Sequence, residues 1–208
     1  MQAPMLERRE FVWRLLIGRG NLLVVSGLGS ATWDVAAAGD HALNFYLWGA
    51  MGGTAMIGLG LALARPERRV AVITGDGDML MGIGSIATIG VKQPKNLAIV
   101  VLDNASYGET GMQPSHTAAG IDLVAMARAC RFPQARAISR LEEADDIRAL
   151  LHAGEGPVFV SARITPEETP RVLPLRDGHA IKQRFMAAVA ASDSARRPTS
   201  WTLVPGTC

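Results

Sequence analysis

Two short polar stretches hold the residues of this chain that are best suited to chemistry. The letters GDGD stand at 75–78, directly after an apolar run, and DN stands at 103–104, after another. Carboxylate and amide oxygens suit a hard cation such as Mg²⁺, which keeps phosphate oxygens among its ligands. The glycines allow a diphosphate to approach the backbone, and a helix that begins after Asp78 would offer free N–H groups. The alternative is that each stretch is a simple turn.

Apolar strands must position these two stretches. The chain predicts an α/β fold, a parallel sheet with helices on both faces, because short apolar runs alternate with helix-like segments. We predict strands at 21–26, 43–48, 68–74, 96–104 and 157–164, and helices at 5–17, the later part of 49–64, 79–93, 122–131, 141–154 and 178–192. Ligands bind such sheets at the carboxyl ends of the strands. If the strands at 68–74 and 96–104 are neighbours, Asp76 and Asn104 meet at one edge and form a metal–diphosphate site.

Composition argues against several classes of function. The chain has 208 residues, of which 49% are hydrophobic, enough for one domain with a sizeable core. A formal net charge of +2 and few aromatic residues give no basis for binding nucleic acid. Cys130 and Cys208 are too far apart for a metal or disulfide framework, and the first residues lack the apolar core of a signal peptide. We therefore expect a cytoplasmic protein.

The stretch from Leu43 to Ala64 carries no charge and allows two interpretations. It is long enough to cross a bilayer, and Gly49 and Gly53 form a GxxxG pair. However, glycines break its first half, and the remaining sequence has the turn signals of a soluble α/β protein. We therefore expect no membrane span here, but a buried turn followed by a core helix.

The domain organisation follows from where proline-rich sequence appears. No repeat or linker interrupts residues 1–165, and we expect them to form one domain. The segment 165–178 is rich in proline and is typical of an irregular connection. Residues 166–208 are thus expected to form a C-terminal connection, a helix and a flexible tail.

The spacing of the two polar stretches resembles the signature of thiamine diphosphate-dependent enzymes. In that family GDG is followed after about 25–30 residues by Asn, and here 26 residues separate Gly77 from Asn104. The resemblance implies thiamine diphosphate and Mg²⁺ as cofactors, with the ion held by Asp76, the Asn104 side chain and the Ser106 carbonyl. It also implies further cofactor contacts, at Gly75, Gly77, Asp78, Tyr107 and Gly108.

A second segment is similar to the same family. Gly49-Ala50-Met51-Gly52 matches the family's G-S-M-G segment, with Ala50 in place of Ser. By this resemblance, the Gly49 carbonyl accepts a hydrogen bond from the exocyclic amine of the aminopyrimidine. Met51 is the apolar wedge that bends the cofactor, although an ordinary core methionine is the alternative.

The run YGETGMQPSHT at 107–117 is similar to the β-subunits of sulfopyruvate and phosphonopyruvate decarboxylases. The resemblance implies decarboxylation of a small 2-oxo acid, in which the thiazolium ring accepts the electrons that CO₂ leaves behind. The glutamate that activates the aminopyrimidine lies on another domain in this family. We therefore expect it on a separate pyrimidine-binding α subunit, with the active site at the interface of a hetero-oligomer. Asp78, where Ser is common, and Glu109, where a small residue is usual, add negative charge near the site.

Two polar loop residues are candidate catalytic groups. Glu109 could act as a general acid that protonates an intermediate, or it could be a surface carboxylate. His116 could relay protons or bind a substrate anion, or it could be structural. The glycines at 27 and 29 do not make a dinucleotide-binding loop, because Thr32 stands where the third glycine belongs.

Two rival functions remain open from the sequence. An acetolactate synthase-like carboligase would use the same cofactor to attack a second carbonyl group. A non-catalytic module would bind thiamine diphosphate without turnover. The intact GDG and Asn pair argues against the module, because decay would be expected to disrupt it.

Overall fold

A six-stranded sheet forms the centre of the protein. The computed structural model describes residues 5–167 and 169–194. The strands are β1 (Leu23–Ser26), β2 (Asn44–Tyr46), β3 (Val70–Gly75), β4 (Leu97–Asp103), β5 (Ser106–Tyr107), β6 (Gln113–Pro114), β7 (Gln134–Ile138) and β8 (Val158–Arg163). The order across the sheet is β2-β1-β3-β4-β8-β7, and all of its pairs are parallel. β5 and β6 form a separate antiparallel hairpin.

Helices cover both faces of this sheet, as a parallel sheet requires. They are α1 (Arg8–Leu16), α2 (Ser30–Ala37), α3 (Thr54–Ala64), α4 (Asp76–Met81), α5 (Gly84–Lys92), α6 (Leu123–Ala129), α7 (Ala144–Ala153) and α8 (Gly178–Ser194). One apolar cluster joins α1, α2 and α7 to one sheet face, and a second joins α3, α4, α5 and α6 to the other. All seven residues of β4 are buried, which explains why its sequence is almost continuously apolar.

The path of the chain creates a cleft between β1 and β3. From β1 the chain moves outward to β2, and it then returns past β1 to place β3 on the other side. The connections that leave β1 and β3 therefore run to opposite faces and separate at the carboxyl ends of these strands. Crevices at such a reversal of strand order are the usual ligand sites of open α/β sheets.

The predicted α/β class is confirmed, but two local predictions are wrong. Residues 79–93 do not form one helix, because Gly82 and Ile83 separate α4 from α5. α4 begins at Asp76 and not after Asp78, because Gly75 is already the extended residue that precedes the first turn. The sequence analysis does not predict α2 or β7. Both elements are short, and β7 also carries charge.

The last described helix, α8, packs back against the sheet domain. Phe185 and Val189 join the second apolar cluster, and Arg68, which is 1% exposed, donates to Ser192 and Asp193 across 2.7 Å. The sequence predicts a flexible tail from Ser192 onward; residues 192–194 instead belong to α8, and 195–208 lie outside the described residues. Within 5–167 and 169–194, none of the helices combines the length and apolar character that crossing a bilayer needs.

Candidate functional site

A cleft opens at the carboxyl ends of β1, β3 and β4. It holds about 610 Å³ including its open mouth, within the range of roughly 300–1,000 Å³ that small-molecule pockets occupy. Most of the predicted cofactor residues line it, namely Met51, Gly75, Asp76, Gly77, Asp78, Asn104, Ser106, Tyr107 and Gly108, and so does the candidate catalytic residue Glu109. Gly49 and His116 do not line the cleft, although both lie in segments that border it.

Asp76 sits at the floor of the cleft with only 2% of its surface exposed. Its Oδ2 accepts hydrogen bonds from the hydroxyls of Ser115 and, across 3.3 Å, of Thr117. Burial raises the pKa of Asp76, and the negative charge of Asp103 nearby adds to this effect. A bound cation would offset both the desolvation and the repulsion, because it favours the charged carboxylate.

Asn104 lies beside Asp76 because β3 and β4 are neighbours in the sheet. Its Oδ1 accepts the Ser106 N–H across 3.0 Å, and an amide oxygen retains a second lone pair for another partner. Ala105 has a positive φ of 57°, which turns the chain sharply after β4. This turn brings Ser106 back over the cleft at the start of the β5–β6 hairpin.

Asp78 does not point a free charge into the cleft. Its Oδ1 accepts the Gly52 N–H across 2.6 Å, and its Oδ2 accepts the hydroxyl of Thr74. The Asp78 carboxylate thereby holds the 49–53 loop, with Met51 at the cleft mouth, against α4. The carboxylate is near the cleft, as the sequence predicts, but both of its oxygens already accept hydrogen bonds from the protein.

Backbone contact between glycines fixes the same loop. A Cβ placed on Gly82 would lie 2.0 Å from the Gly52 carbonyl oxygen, so no larger residue fits there without displacing the loop. Gly52 itself has a φ of 86°, which favours glycine. The glycines that interrupt the uncharged stretch 43–64 thus serve a close approach between this loop and α4.

Tyr107 and His116 form a pair on the outer side of the cleft. The Tyr107 hydroxyl and His116 Nδ1 are 2.8 Å apart, and the two rings meet nearly at right angles. A Cβ on Gly77 would lie 2.8 Å from the Tyr107 ring, so glycine allows this ring to pack directly on α4. His116 therefore contacts the cleft only through Tyr107.

Glu109 separates the cleft from a second, adjoining cavity and lines both. A Cβ on Gly29 would lie 2.5 Å from Glu109 Oε1, which places the carboxylate directly over the residue that precedes α2. Glu109 is exposed, and it is the predicted catalytic residue that reaches the cleft itself.

Several cleft residues were not predicted from the sequence. Leu28, Ser30 and Ala31 follow β1, in the glycine-containing segment that does not match a dinucleotide-binding loop. Ser115 and Thr117 contact Asp76 from the segment that directly follows β6. The signal for the first group was a glycine pair after an apolar strand, whereas nothing in the spacing indicates the second.

The oxygen atoms that could act as metal ligands in the cleft suit a magnesium ion bound to a diphosphate. Asp76 and Asn104 supply the hard oxygen ligands that Mg²⁺ prefers, with room for phosphate oxygens. Within the part of the chain that the structure describes, no three His, Cys, Asp or Glu residues group to hold a metal. A site for Mg²⁺ here thus depends on Asn104 and backbone oxygen in addition to Asp76.

Comparison with known proteins agrees with this geometry. The family model for the thiamine pyrophosphate enzyme, C-terminal TPP binding domain, matches residues 27–162. Sulfopyruvate decarboxylase subunit beta of Methanothermobacter thermautotrophicus is 38% identical over 188 residues, covering 89% of this chain and 96% of that one. The subunit of the same name from Methanocaldococcus jannaschii is 35% identical, covering 82% and 89%. Phosphonopyruvate decarboxylase of Streptomyces viridochromogenes is 38% identical over 80% of this chain, which spans only 42% of that longer protein.

Solved structures share the fold at lower identity. The 4-hydroxybenzoylformate decarboxylase of Rhodococcus jostii RHA1 matches with a TM-score of 0.65 at 18% identity, over 81% of this chain and 34% of that one. Benzoylformate decarboxylase of Polynucleobacter necessarius matches with a TM-score of 0.64, over 81% and 36%. With the family match across more than half of its residues, the chain belongs to the thiamine pyrophosphate enzymes and carries their C-terminal TPP binding domain.

Proposed function

We propose that this chain is the diphosphate-binding β subunit of a thiamine diphosphate- and Mg²⁺-dependent 2-oxo acid decarboxylase. The substrate is of the sulfopyruvate or phosphonopyruvate kind. The observation that carries the proposal is the meeting of Asp76 and Asn104 in a cleft at the reversal of strand order. Two β-subunit relatives, covered over 89% and 96% of their length, support the substrate class.

The chain's own residues bind and orient the cofactor. Asp76, the Asn104 side chain and the Ser106 carbonyl hold Mg²⁺, while Gly75 and Gly77 let the diphosphate approach the backbone. Tyr107 and Gly108 close over the diphosphate from the β5–β6 hairpin. When bound, the thiazolium ring of the cofactor supplies the electron sink for loss of CO₂.

Other residues shape the reacting end of the cleft. Met51 lies in the loop that Asp78 holds through Gly52, and it supports the bent form of the cofactor. The Gly49 carbonyl accepts a hydrogen bond from the exocyclic amine of the aminopyrimidine. Glu109 lines the cleft, where its side chain can transfer a proton to or from the reacting molecule. His116 is a positioning residue that orients Tyr107.

A partner subunit completes this site. An exposed apolar surface adjoins the cleft mouth, and its large side chains include Met51 (41% exposed), Met81 (67%), Ile121 (44%) and Met126 (38%). Contiguous apolar surface of this kind marks interaction sites. The surface suits a pyrimidine-binding α subunit that brings the activating glutamate to the cofactor, and the heteromer functions in the cytoplasm.

The domain division is part of the proposal. Residues 1–165 form the cofactor-binding domain, and 166–208 form an appended connection, helix and tail. Because α8 packs on the domain and its Asp193 pairs with the buried Arg68, the appended helix supports the domain's stability.

A 2-oxo acid screen on the chain co-expressed with an α subunit tests the function. We expect CO₂ release from 3-sulfopyruvate or 3-phosphonopyruvate that depends on thiamine diphosphate and Mg²⁺, with an aldehyde as product. A carbon–carbon bonded product would instead favour the carboligase. Tight cofactor binding without turnover on any 2-oxo acid would favour the non-catalytic module and contradict the proposal.

A further inference from the structure

A second cavity, of about 440 Å³ including its open mouth, adjoins the cofactor cleft. Four residues line both spaces, namely Ser30, Asn104, Gly108 and Glu109. The remaining wall comes from α1, α2, the β5–β6 hairpin and the segment after β8, through Arg8, Trp33, Met112, Pro166, Glu167, Thr169 and Arg171. The second cavity therefore lies directly beside the cleft, within reach of a small molecule that reacts there.

The arginines around the cavity differ in what they bind. The Arg8 Nε donates to Asp34 across 2.7 Å, and the Arg9 Nε lies 3.5 Å from the other oxygen of the same carboxylate. Arg171 has its guanidinium 4.7 Å from the centre of the Trp33 ring. Across 5–167 and 169–194, no carboxylate lies within ion-pairing distance of Arg171. It is thus the lining arginine whose N–H donors are not already used by an acid.

The segment that carries Arg171 is held at both ends. On one side, Arg9 donates to the Pro170 carbonyl, and on the other the Trp48 Nε1 donates to the Leu175 carbonyl across 2.9 Å. Stacking on Trp33 further limits the directions that the guanidinium can take. A planar guanidinium group whose orientation is restricted in this way is suited to donate two hydrogen bonds to one oxyanion.

The other charged side chains that line the cavity are acidic or already paired, so anion binding there would depend on Arg171. Glu109 and Glu167 also line the cavity, and both would repel an anion that entered it. Trp33 adds an indole N–H that is buried and has no acceptor among the described residues. Without Arg171, an anion that entered the cavity would face these two carboxylates, and among the described lining residues the other arginine, Arg8, already pairs with Asp34.

We infer that this second cavity receives the acidic tail of the substrate and that Arg171 binds the tail oxyanion directly. The inference rests on the proposed decarboxylation of a 2-oxo acid, and it names the residue that selects an acidic over an uncharged tail. The ligand chemistry is a sulfonate, phosphonate or carboxylate group carried on the carbon next to the 2-oxo group.

The kinetic test compares Arg171→Gln with Arg176→Gln in the complex with the α subunit. Arg176 stacks on Trp48 at 5.4 Å and does not line the cavity, so it is a matched control. We expect Arg171→Gln to lower the ratio of kcat/KM for 3-phosphonopyruvate over pyruvate at least tenfold, mainly through KM. 3-Sulfopyruvate and oxaloacetate distinguish which tail is preferred. An unchanged ratio, or an equal fall in the control, would overturn the inference.

A binding test separates this inference from the proposed function. Calorimetric titration of the cofactor-loaded complex with phosphonoacetate needs no turnover. Binding that weakens at least tenfold in Arg171→Gln, but not in Arg176→Gln, supports the tail pocket even if no 2-oxo acid is decarboxylated. Absence of phosphonoacetate binding to the unmodified protein, or equal affinity in both variants, would overturn it.

Discussion

The Asp78 carboxylate accepts the Gly52 backbone N–H across 2.6 Å and so joins the GDGD segment to the loop that carries Met51. The same carboxylate accepts the Thr74 hydroxyl, and Asp78 is 7% exposed. One side chain therefore couples the two segments that resemble the family's cofactor motifs. We therefore expect Asp78 to position the loop.

Replacing Asp78 by Ala should loosen the 49–53 loop and weaken thiamine diphosphate binding about tenfold. Two donors would lose their acceptor, and each unsatisfied buried donor costs about 1–3 kcal/mol. Calorimetric titration of the cofactor measures the change. Asp145→Ala, which alters an exposed carboxylate in α7, is the control, and a Kd that matches the control would contradict the positioning function.

Gly82→Ala should weaken cofactor binding, because the new Cβ would lie 2.0 Å from the Gly52 carbonyl oxygen and displace the loop. Gly84→Ala is the matched control two residues later, where a Cβ meets nothing within 4 Å. The control should stabilise the chain by up to about 1 kcal/mol through helix propensity. Thermal unfolding and cofactor titration of both variants test this, and equal cofactor affinity would show that the loop tolerates the shift.

Tyr107→Phe and His116→Gln should reduce kcat by similar factors, since both remove the 2.8 Å hydrogen bond between these side chains. The double variant should lose no more than the larger single loss, because the two residues act as one unit. Steady-state kinetics on the four proteins measure the coupling. Additive losses would mean that His116 acts independently of Tyr107.

Asp76→Asn should abolish the effect of Mg²⁺ on cofactor binding. An amide cannot supply the charge that a divalent ion needs, whereas it can still accept the Ser115 hydroxyl. In the unmodified protein, removing Mg²⁺ with a chelator should lower the melting temperature of the cofactor-loaded form. If the variant still responds to Mg²⁺, the ion is held elsewhere.

His152 makes stability depend on pH. Burial lowers its pKa below 6.5, with the positive charges of Arg148, Arg69 and Arg19 adding to the effect. The unfolded chain therefore binds this proton more readily, so the free energy of unfolding should fall as pH drops below 6.5. His152→Gln should flatten this slope in denaturant titrations at several pH values. An unchanged slope in this variant would contradict the prediction.

The central strands and the family signature could be predicted because their signals are local. Continuous apolar runs at β3 and β4 indicate buried parallel strands, and the Gly75–Gly77 motif directly follows one of them. Strand pairing then brings Asp76 to Asn104. Their meeting in the same cleft agrees with the spacing, while their role as metal ligands stays a prediction.

The remaining features depend on contacts that the sequence does not display. Nothing near Asp78 in the sequence indicates that its partner is Gly52, 26 residues earlier. Ser115 reaches Asp76 only because the β5–β6 hairpin folds back. The cavity at Arg171 forms where a proline-rich connection returns to α2, which periodicity cannot reveal.

The cleft walls come from segments that are far apart along the chain, beginning at Leu28 and ending at Thr110. No shorter piece can present the site, so the cleft exists only once β1, β3 and β4 have paired. A cofactor that binds there binds only the folded form, and it therefore shifts the folding equilibrium toward that form. Each tenfold rise in free cofactor above its Kd then adds about 1.4 kcal/mol to the free energy of unfolding. For this chain, the concentration of a free vitamin-derived molecule therefore sets part of the resistance to unfolding.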